Sequence, residues 1–278
     1  MSVVLTILGC GSSGGVPRIG NDWGLCDPNE VKNRRSRCAL LVEKYGDNGC
    51  TTVLIDTGPD IRQQLLDAEV SHLDAVLYTH AHADHLHGID DLRAFTVHFG
   101  KRTPVYMDAS TYRRAYSAFT YCFETPEGSN YPPILVHHPI TPGKPVEISG
   151  AGGLLTFETL KVTHGDIDAL GFKIGNAAYL PDVSDIPVGS IKALKDLDVL
   201  ILDCLRRRPH PSHFCLEDSL AWTRRLAPER TIFTNLHNDL DYKTLCEELP
   251  ETIEPAFDGM RIELTETPGK PALSAHAG

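Results

Sequence analysis

Apolar residues along this chain fall into short blocks that switch between two periods. Val3–Leu8, Ala39–Glu43, Thr52–Asp56, Asp74–Thr79 and Pro104–Met107 are aliphatic or β-branched runs bounded by glycine, proline or polar clusters, which predicts strands. Gly46–Gly49 joins the second and third as a hairpin. A different period appears in Asp60–Ala68, where Ile61, Leu65 and Ala68 fall at i, i+4 and i+7, and again in Tyr112, Ala115, Tyr116 and Phe119. Both predict amphipathic helices, and a third helix is expected from Asp84 toward Phe95. Thr120–Pro133, with three prolines and a glycine, reads as an excursion or lid.

The second half repeats the alternation. Strands are expected near Leu154–Val162, Ala169–Ile174, Ala177–Leu180, Val199–Asp203 and Thr231–Thr234, with helices near Val188–Lys195, Leu216–Leu226 and Asp241–Leu249. No repeat of about 20–50 residues is visible, and no linker separates two cores. The expectation is one domain over 1–264, with a frayed tail from Thr265 onward.

Composition narrows the function classes. At 278 residues, 41% hydrophobic and 23% charged, the chain has the make-up of a globular protein with a sizeable core. A net charge of −11 repels polyanions at long range, which argues against bulk nucleic acid as a ligand and leaves room for a local pocket for one phosphate. Eight cysteines without a Cys-x-x-Cys pair read as reduced thiols, not a disulfide scaffold. No basic-then-apolar segment opens the chain, and no apolar run approaches the roughly 20 residues of a membrane span. The expected compartment is the cytosol, with no membrane partner.

Chemistry concentrates at two places. Gly9-Cys10-Gly11-Ser12-Ser13-Gly14-Gly15-Val16-Pro17 is a loop that allows close backbone approach, without the features of a dinucleotide or P-loop motif. The long polar stretch Ile19–Arg37 follows it, and within that stretch Lys32–Arg37 reads as a solvated charge run. The denser signal is Thr79-His80-Ala81-His82-Ala83-Asp84-His85, directly after an apolar strand. His80, His82 and Asp84 alternate and so project to one side. Imidazole with carboxylate suits zinc, manganese or iron.

His80-x-His82-x-Asp84-His85 resembles the signature of the metallo-β-lactamase superfamily. The resemblance implies an αββα sandwich, an α/β fold of four layers in which two mixed sheets carry helices outside. It also implies two divalent ions, zinc or manganese. Downstream, His164 in Lys161-Val162-Thr163-His164-Gly165, Asp182 in Tyr179-Leu180-Pro181-Asp182 and His237 in Thr234-Asn235-Leu236-His237 stand in the family's order. Carried over residue by residue, His80, His82 and His164 hold the first ion. Asp84, His85 and His237 hold the second, and Asp182 bridges them. Relatives often read Thr-His-x-Ser-His at the last strand end, where this chain has Asn235 and Asn238.

Within the superfamily the glycine loop, Asp56-Thr57-Gly58-Pro59-Asp60, Pro181-Asp182-Val183-Ser184 and Arg208-Pro209-His210-Pro211-Ser212-His213-Phe214 resemble the PhnP-like cyclic phosphodiesterases. The resemblance implies hydrolysis of a small cyclic or nucleotide-like phosphodiester by a hydroxide bridging the ions. Asp84 and His213 carry the catalysis, and His213, His210, Arg208 and Ser13 touch the substrate. Asp56 orients a ligand histidine, and a homodimer is implied. Arg206–Arg208 otherwise reads as a solvated run. Only Cys26 lies in the first long loop and Asn238 replaces a late histidine, so no extra structural zinc is expected. The other classes weighed are a tRNA 3′-end endonuclease, a lactonase or β-lactamase, and a non-hydrolytic metal-binding carrier. His72, His87, His98, His137 and His138 read as surface or packing groups.

Overall fold

A computed structural model describes residues 2–264; the fraying expected from Thr265 onward lies outside the described residues. The first half of the chain supplies strands β1 (Ser2–Gly9), β2 (Ala39–Gly46), β3 (Gly49–Ile55), β4 (Ala75–Leu77), β5 (Thr103–Met107) and β6 (Leu135–Pro139). The second supplies β7 (Val146–Gly150), β8 (Gly153–His164), β9 (Ile167–Ile174), β10 (Ala177–Leu180), β11 (Val199–Asp203), β12 (Arg230–Thr234), β13 (Ile253–Pro255) and β14 (Met260–Leu264). They form two seven-stranded mixed sheets, ordered β14-β1-β2-β3-β4-β5-β6 and β13-β12-β11-β10-β9-β8-β7. In each sheet one half is antiparallel and the other half parallel.

Strand alternation builds three hydrophobic layers from this chain. Leu40 and Val42, Val53 and Ile55, and Val199 and Ile201 face the space between the sheets, where Phe157 and Phe172 also meet. Their neighbours Leu41, Leu54 and Val76 point outward under helices of the first half. Leu200 and Leu202 do the same for the second half. A strand buried on both faces must be apolar at nearly every position, which is why β4 and β11 read as continuous runs.

The helices are α1 (Ile61–Asp67), α2 (Ala83–Leu86), α3 (Arg93–Phe99), α4 (Ala109–Phe123), α5 (Val188–Ile191), α6 (Leu216–Leu226) and α7 (Tyr242–Glu248). Capping explains several starts: Asp108 accepts from Thr111 N at 2.8 Å, and Asp241 accepts from Thr244 N at 3.0 Å. Each side-chain oxygen satisfies a backbone donor that the first turn leaves free.

Four differences from the sequence expectations have physical reasons. The helix expected from Asp84 to Phe95 is broken into α2, a 3₁₀ turn Ile89–Leu92 and α3. Gly88 causes the break: a Cβ there would stand 2.2 Å from Gly58 O, so the chain bends where two glycines touch. The short strands β6, β7, β13 and β14 are not among the expected elements, because histidine, glutamate, arginine, serine or proline interrupts each of them and leaves no continuous apolar run. Helix α4 extends to Phe123 and absorbs the start of the expected excursion, and no residue of 120–133 lines a cavity beside the histidines. Finally, Lys32–Arg37 is not simply solvated: Arg35 is 2% exposed and donates to Leu240 O at 2.7 Å and His237 O at 3.3 Å.

All eight cysteines are free thiols, six of them buried. Among the described residues no helix is long and apolar enough to cross a membrane.

Candidate active site and metal centre

The polar residues gather where strands of the two sheets end. The turn 79–85 follows β4, His164 closes β8, Asp182 follows β10, Asp203 closes β11, and Asn235 follows β12. Leu170 N donates to Thr79 O at 2.9 Å and ties the two sheets together there. Gly58 is required beside the turn, since a Cβ would fall 2.2 Å from Asp84 O.

Four side chains converge first. His80 Nε2 lies 2.9 Å from His82 Nδ1, which lies 3.1 Å from His164 Nε2. Asp182 Oδ2 stands 3.7 Å from His80 Nε2 and 3.5 Å from His164 Nε2. These ligand atoms all lie within 4.8 Å of one another. A tetrahedral ion with ligands at about 2.0–2.1 Å has ligand-to-ligand edges of roughly 3.3 Å, so the donor set fits a metal in size and chemistry. The rings are oriented from behind: the Nδ1 of His164 donates to Ser212 O at 2.6 Å, and the Nδ1 of His80 meets Thr79 Oγ1 at 2.9 Å. Each ring is thereby held with Nε2 facing the cluster. Burial, then the nearby His85 charge, pushes His80 well below the usual histidine range, and burial lowers His164. Both are therefore neutral, as a metal ligand must be.

A second group shares Asp182. Its other oxygen, Oδ1, is 3.1 Å from His85 Nε2, and Asp84 Oδ2 is 3.5 Å from the same nitrogen. Asp56, fully buried, sits 2.8 Å from His85 Nδ1 and accepts from Thr79 N and Oγ1 at 2.8 and 2.7 Å. His85 Nε2 is buried and makes no well-aligned hydrogen bond, with only the Asp182 and Asp84 carboxylates facing it, an arrangement that fits a metal-ligand atom. Without an ion, burial disfavours charge on His85, but Asp182, Asp56 and Asp84 together raise it well above its ordinary value. Burial also opposes the Asp182 charge, and His85 overcomes this and holds the carboxyl well below the usual range.

His237 does not join this second group. Its Nε2 contacts Arg18 Nη2, and its Nδ1 meets Asp239 Oδ1 at 3.2 Å. Asn235 stands at the strand end instead, its Nδ2 3.1 Å from Asp203 Oδ1 and 3.4 Å from Asp182 Oδ1. The cause is local: Asn235 has φ 61°, which ends the strand alternation and swings His237 outward. Asn238, where no zinc ligand was expected, donates to Asp22 Oδ2 at 3.1 Å and accepts from Leu25 N at 2.7 Å. Cys26 Sγ accepts from Arg35 Nη1 at 3.9 Å.

His213 completes the centre. Its Nδ1 is 2.8 Å from Asp203 Oδ2 and its Nε2 is 4.0 Å from Asp182 Oδ2. Burial alone would lower His213, but the Asp203 hydrogen bond and charge, followed by the charges of Asp182 and Asp84, raise it to about 9 in the metal-free protein. Asp203, an aspartate closing an apolar strand, had no assigned role in the sequence; that position was its only signal.

Two cavities flank the cluster. One of about 580 Å³ is lined by His80, His82, Ser110, Arg113, Arg114 and Asp168, among others. The other, about 170 Å³, is lined by Ser12, Ser13, Arg18, Asp84, Arg206, His210, His213, Asn235 and His237, with Leu205. Arg208 is exposed and outside both; Arg206 holds the lining position expected of it, with its Nε and Nη2 on Arg208 O and Pro209 O at 3.1 and 2.7 Å.

The profile of the beta-lactamase superfamily domain matches residues 51–235. A curated octanoyltransferase of Porphyromonas gingivalis (strain ATCC BAA-308 / W83) is 34% identical over 264 residues, covering 94% of this chain and 51% of that protein. The chain thus spans about half the length of this relative. A solved diphosphatase from the PhnP family is 36% identical, with a TM-score of 0.84 over 95% of this chain and 98% of its own. Zinc-bound PqqB from Methylobacterium extorquens, 18% identical with a TM-score of 0.75 over 94% of this chain and all of its own, shares the fold. Profile and fold agree that the chain belongs to the metallo-β-lactamase superfamily.

Proposed function

We propose that this protein is a metal-dependent phosphodiesterase acting on a small cyclic or nucleotide-like phosphodiester. The observation that carries the reading is the Asp182 carboxylate, whose two oxygens face two histidine groups while His213 Nε2 stands 4.0 Å from one of them. A phosphoryl group lying over Asp182 meets His213 as a hydrogen-bond donor. Likeness to a PhnP-family diphosphatase over nearly the whole chain supports the same class.

Divalent ions, zinc or manganese, supply Lewis acidity and an activated water when bound by these residues. Everything else belongs to the chain. His80, His82, His164 and Asp182 are the holders of one ion, and Asp84, His85 and Asp182 the holders of a second. Asn235 takes the place of a histidine in the second set, so that set is the weaker. Asp56 and Asp203 orient His85 and His213. His213 donates to a phosphate oxygen or protonates the leaving alkoxide, help typically worth about 10²–10⁴-fold. The cavity of about 580 Å³ beside His80 and His82 falls in the range of roughly 300–1,000 Å³ usual for small-molecule pockets and receives the organic part of the substrate.

The test is hydrolysis of an aryl phosphodiester by metal-loaded protein. Turnover that His213→Ala slows, with metal content intact, supports the reading. Absence of turnover on every diester, or full activity in His213→Ala, removes it. Processing of precursor tRNA without turnover of small diesters would transfer the activity to the nuclease class.

A further inference from the structure

Thr6 Oγ1, Gln64 Oε1 and Arg35 Nε are buried side-chain atoms without a hydrogen-bond partner, and all three residues line one cavity that no metal-holding residue touches. None of the three is more than 6% exposed. The cavity, of about 670 Å³, is larger than the one beside His80 and falls within the roughly 300–1,000 Å³ usual for small-molecule sites. Buried polar groups left unpaired are costly and rare, so three around one space point to an occupant that pairs them. Gln64 Oε1 can only accept, Arg35 Nε can only donate, and the Thr6 hydroxyl does either. An occupant that satisfies all three carries both a donor and an acceptor.

The walls are fixed to one another. Val16 N donates to Arg35 O at 2.8 Å and Arg35 N to Val16 O at 2.9 Å, which holds the glycine loop against the 34–37 segment. Gln64 Nε2 donates to Ser36 Oγ at 2.7 Å and to Arg37 O at 2.8 Å, tying α1 to the same segment. Asp258, between β13 and β14, accepts from Ser36 N at 2.7 Å and from Ser36 Oγ at 2.6 Å. Gly9 permits this closeness, since a Cβ there would stand 2.1 Å from Arg37 O and 2.4 Å from Gln64 Nε2. Charge is balanced around the cavity, although the chain as a whole carries −11. Arg34, Arg35, Arg37 and Arg261 bring guanidinium groups, and Asp60, Asp67, Glu69 and Asp258 bring carboxylates. Asp60 is spent on Arg37 Nε at 2.9 Å, and Asp258 is turned onto Ser36. The other charges come from separate elements: Arg34 from the 34–37 segment and Arg261 from β14, Asp67 and Glu69 from the end of α1 and just beyond it. Among the described residues that line the cavity there is no aromatic ring, so a flat base finds nothing to stack on. A lone anion leaves Gln64 Oε1 unpaired, and a lone cation leaves Arg35 Nε unpaired.

We propose that this cavity is a binding site for a small zwitterion of the α-amino-acid class, distinct from the metal centre. The ligand carboxylate pairs with Arg35 Nε and the guanidinium groups of Arg34 and Arg261, whose forks match carboxylate oxygens. The ammonium donates to Gln64 Oε1 beside Asp67 and Glu69, and the Thr6 hydroxyl joins whichever end reaches it. The site and the recess beside Asp84 share the glycine loop as a wall: Gly15, Val16 and Pro17 line the first, Ser12, Ser13 and Arg18 the second. An occupant therefore braces from behind the loop that borders the metal-holding cluster.

The test is calorimetry on the metal-loaded protein with each of the standard L-α-amino acids in turn. At least one should bind with a Kd of about 1 mM or tighter. The amine lacking its carboxylate and the acid lacking its ammonium should each bind at least about tenfold more weakly. Thr6→Val marks the site, because the lost hydroxyl had no partner: the thermal midpoint of the free protein should not fall, while affinity for the amino acid drops about fivefold or more. Arg261→Gln, an exposed position on β14, should weaken binding on the same scale. No binding by any amino acid up to about 10 mM overturns the proposal and leaves the three atoms to water. Affinity unchanged in both variants overturns it too, since binding would then lie at the metals. Half-ligands that bind as well as the whole amino acid contradict the zwitterion.

Discussion

At Asp182 one carboxylate serves two groups of histidines, with Oδ2 toward His80 and His164 and Oδ1 toward His85. The two groups are unequal, because the first has three imidazoles and the second has one imidazole, Asp84 and the Asn235 amide. Metal titration of the stripped protein should therefore show one tight equivalent and one weaker. Asn235→His should tighten the weaker one by about 10–100-fold, the scale on which changes around metal ligands register; two equally tight equivalents in the wild type would contradict this. Asp203→Asn should slow diester hydrolysis by roughly 10²-fold or more, since His213 loses the partner that orients it, while elemental analysis shows unchanged metal. Much of this site was legible in the sequence. His80, His82, Asp84 and His85 lie within six residues, and His164 and Asp182 stand at strand ends in family order. Asn235 and His237 were not separable, because a positive φ at Asn235 decides which of them faces inward. Sequence alternation does not register such a twist. Arg18 was hidden in a polar loop for the same reason: only the docking of Gly11 on Leu236 brings it to His237.

At the scale of elements, Arg35 is the largest buried side chain holding the long segment between β1 and β2 to the strand ends. Arg35 is buried between Asn33, Cys26 and the 237–240 carbonyls, donating to Leu240 O at 2.7 Å and to Asn33 Oδ1 at 3.3 Å. Arg35→Ala leaves those acceptors unpaired in the interior and should cost about 3 kcal/mol. For a chain of this size the thermal midpoint should drop by roughly 6–12 °C, which differential scanning calorimetry would read; a drop within a degree or two would show that the loop does not depend on it. Charge runs in sequence look alike whether solvated or buried, so Arg35 could not be told from Arg34. Other elements were legible for a different reason: Val199–Asp203 is apolar at every position but the last, Leu216–Leu226 is long enough to show a helical period, and the structure has both with the same bounds. The edge strands β6, β7 and β13 are broken by histidine, glutamate or proline, so no apolar run marks them.

The whole molecule is two sheets of the same design packed through one apolar layer, with the site where the seam opens at the strand ends. Stability of that layer and chemistry at its mouth are coupled, because β4, β8, β10 and β11 carry both. Phe172, fully buried and edge-to-face with Phe157 at 6.4 Å, is a fair probe. Phe172→Ala should destabilise the fold by about 3–5 kcal/mol and loosen the site along with it, seen as a lower midpoint and weaker metal retention in the same protein. The central claim, that distant side chains gather a metal to cleave a phosphodiester, is tested most directly by titrating metal-stripped protein with zinc or manganese while following hydrolysis of an aryl phosphodiester. Turnover should be absent from the stripped protein, appear in step with ion occupancy, and vanish again on chelation. Hydrolysis that proceeds equally without metal, or stoichiometric metal binding that brings no hydrolysis, would contradict the account.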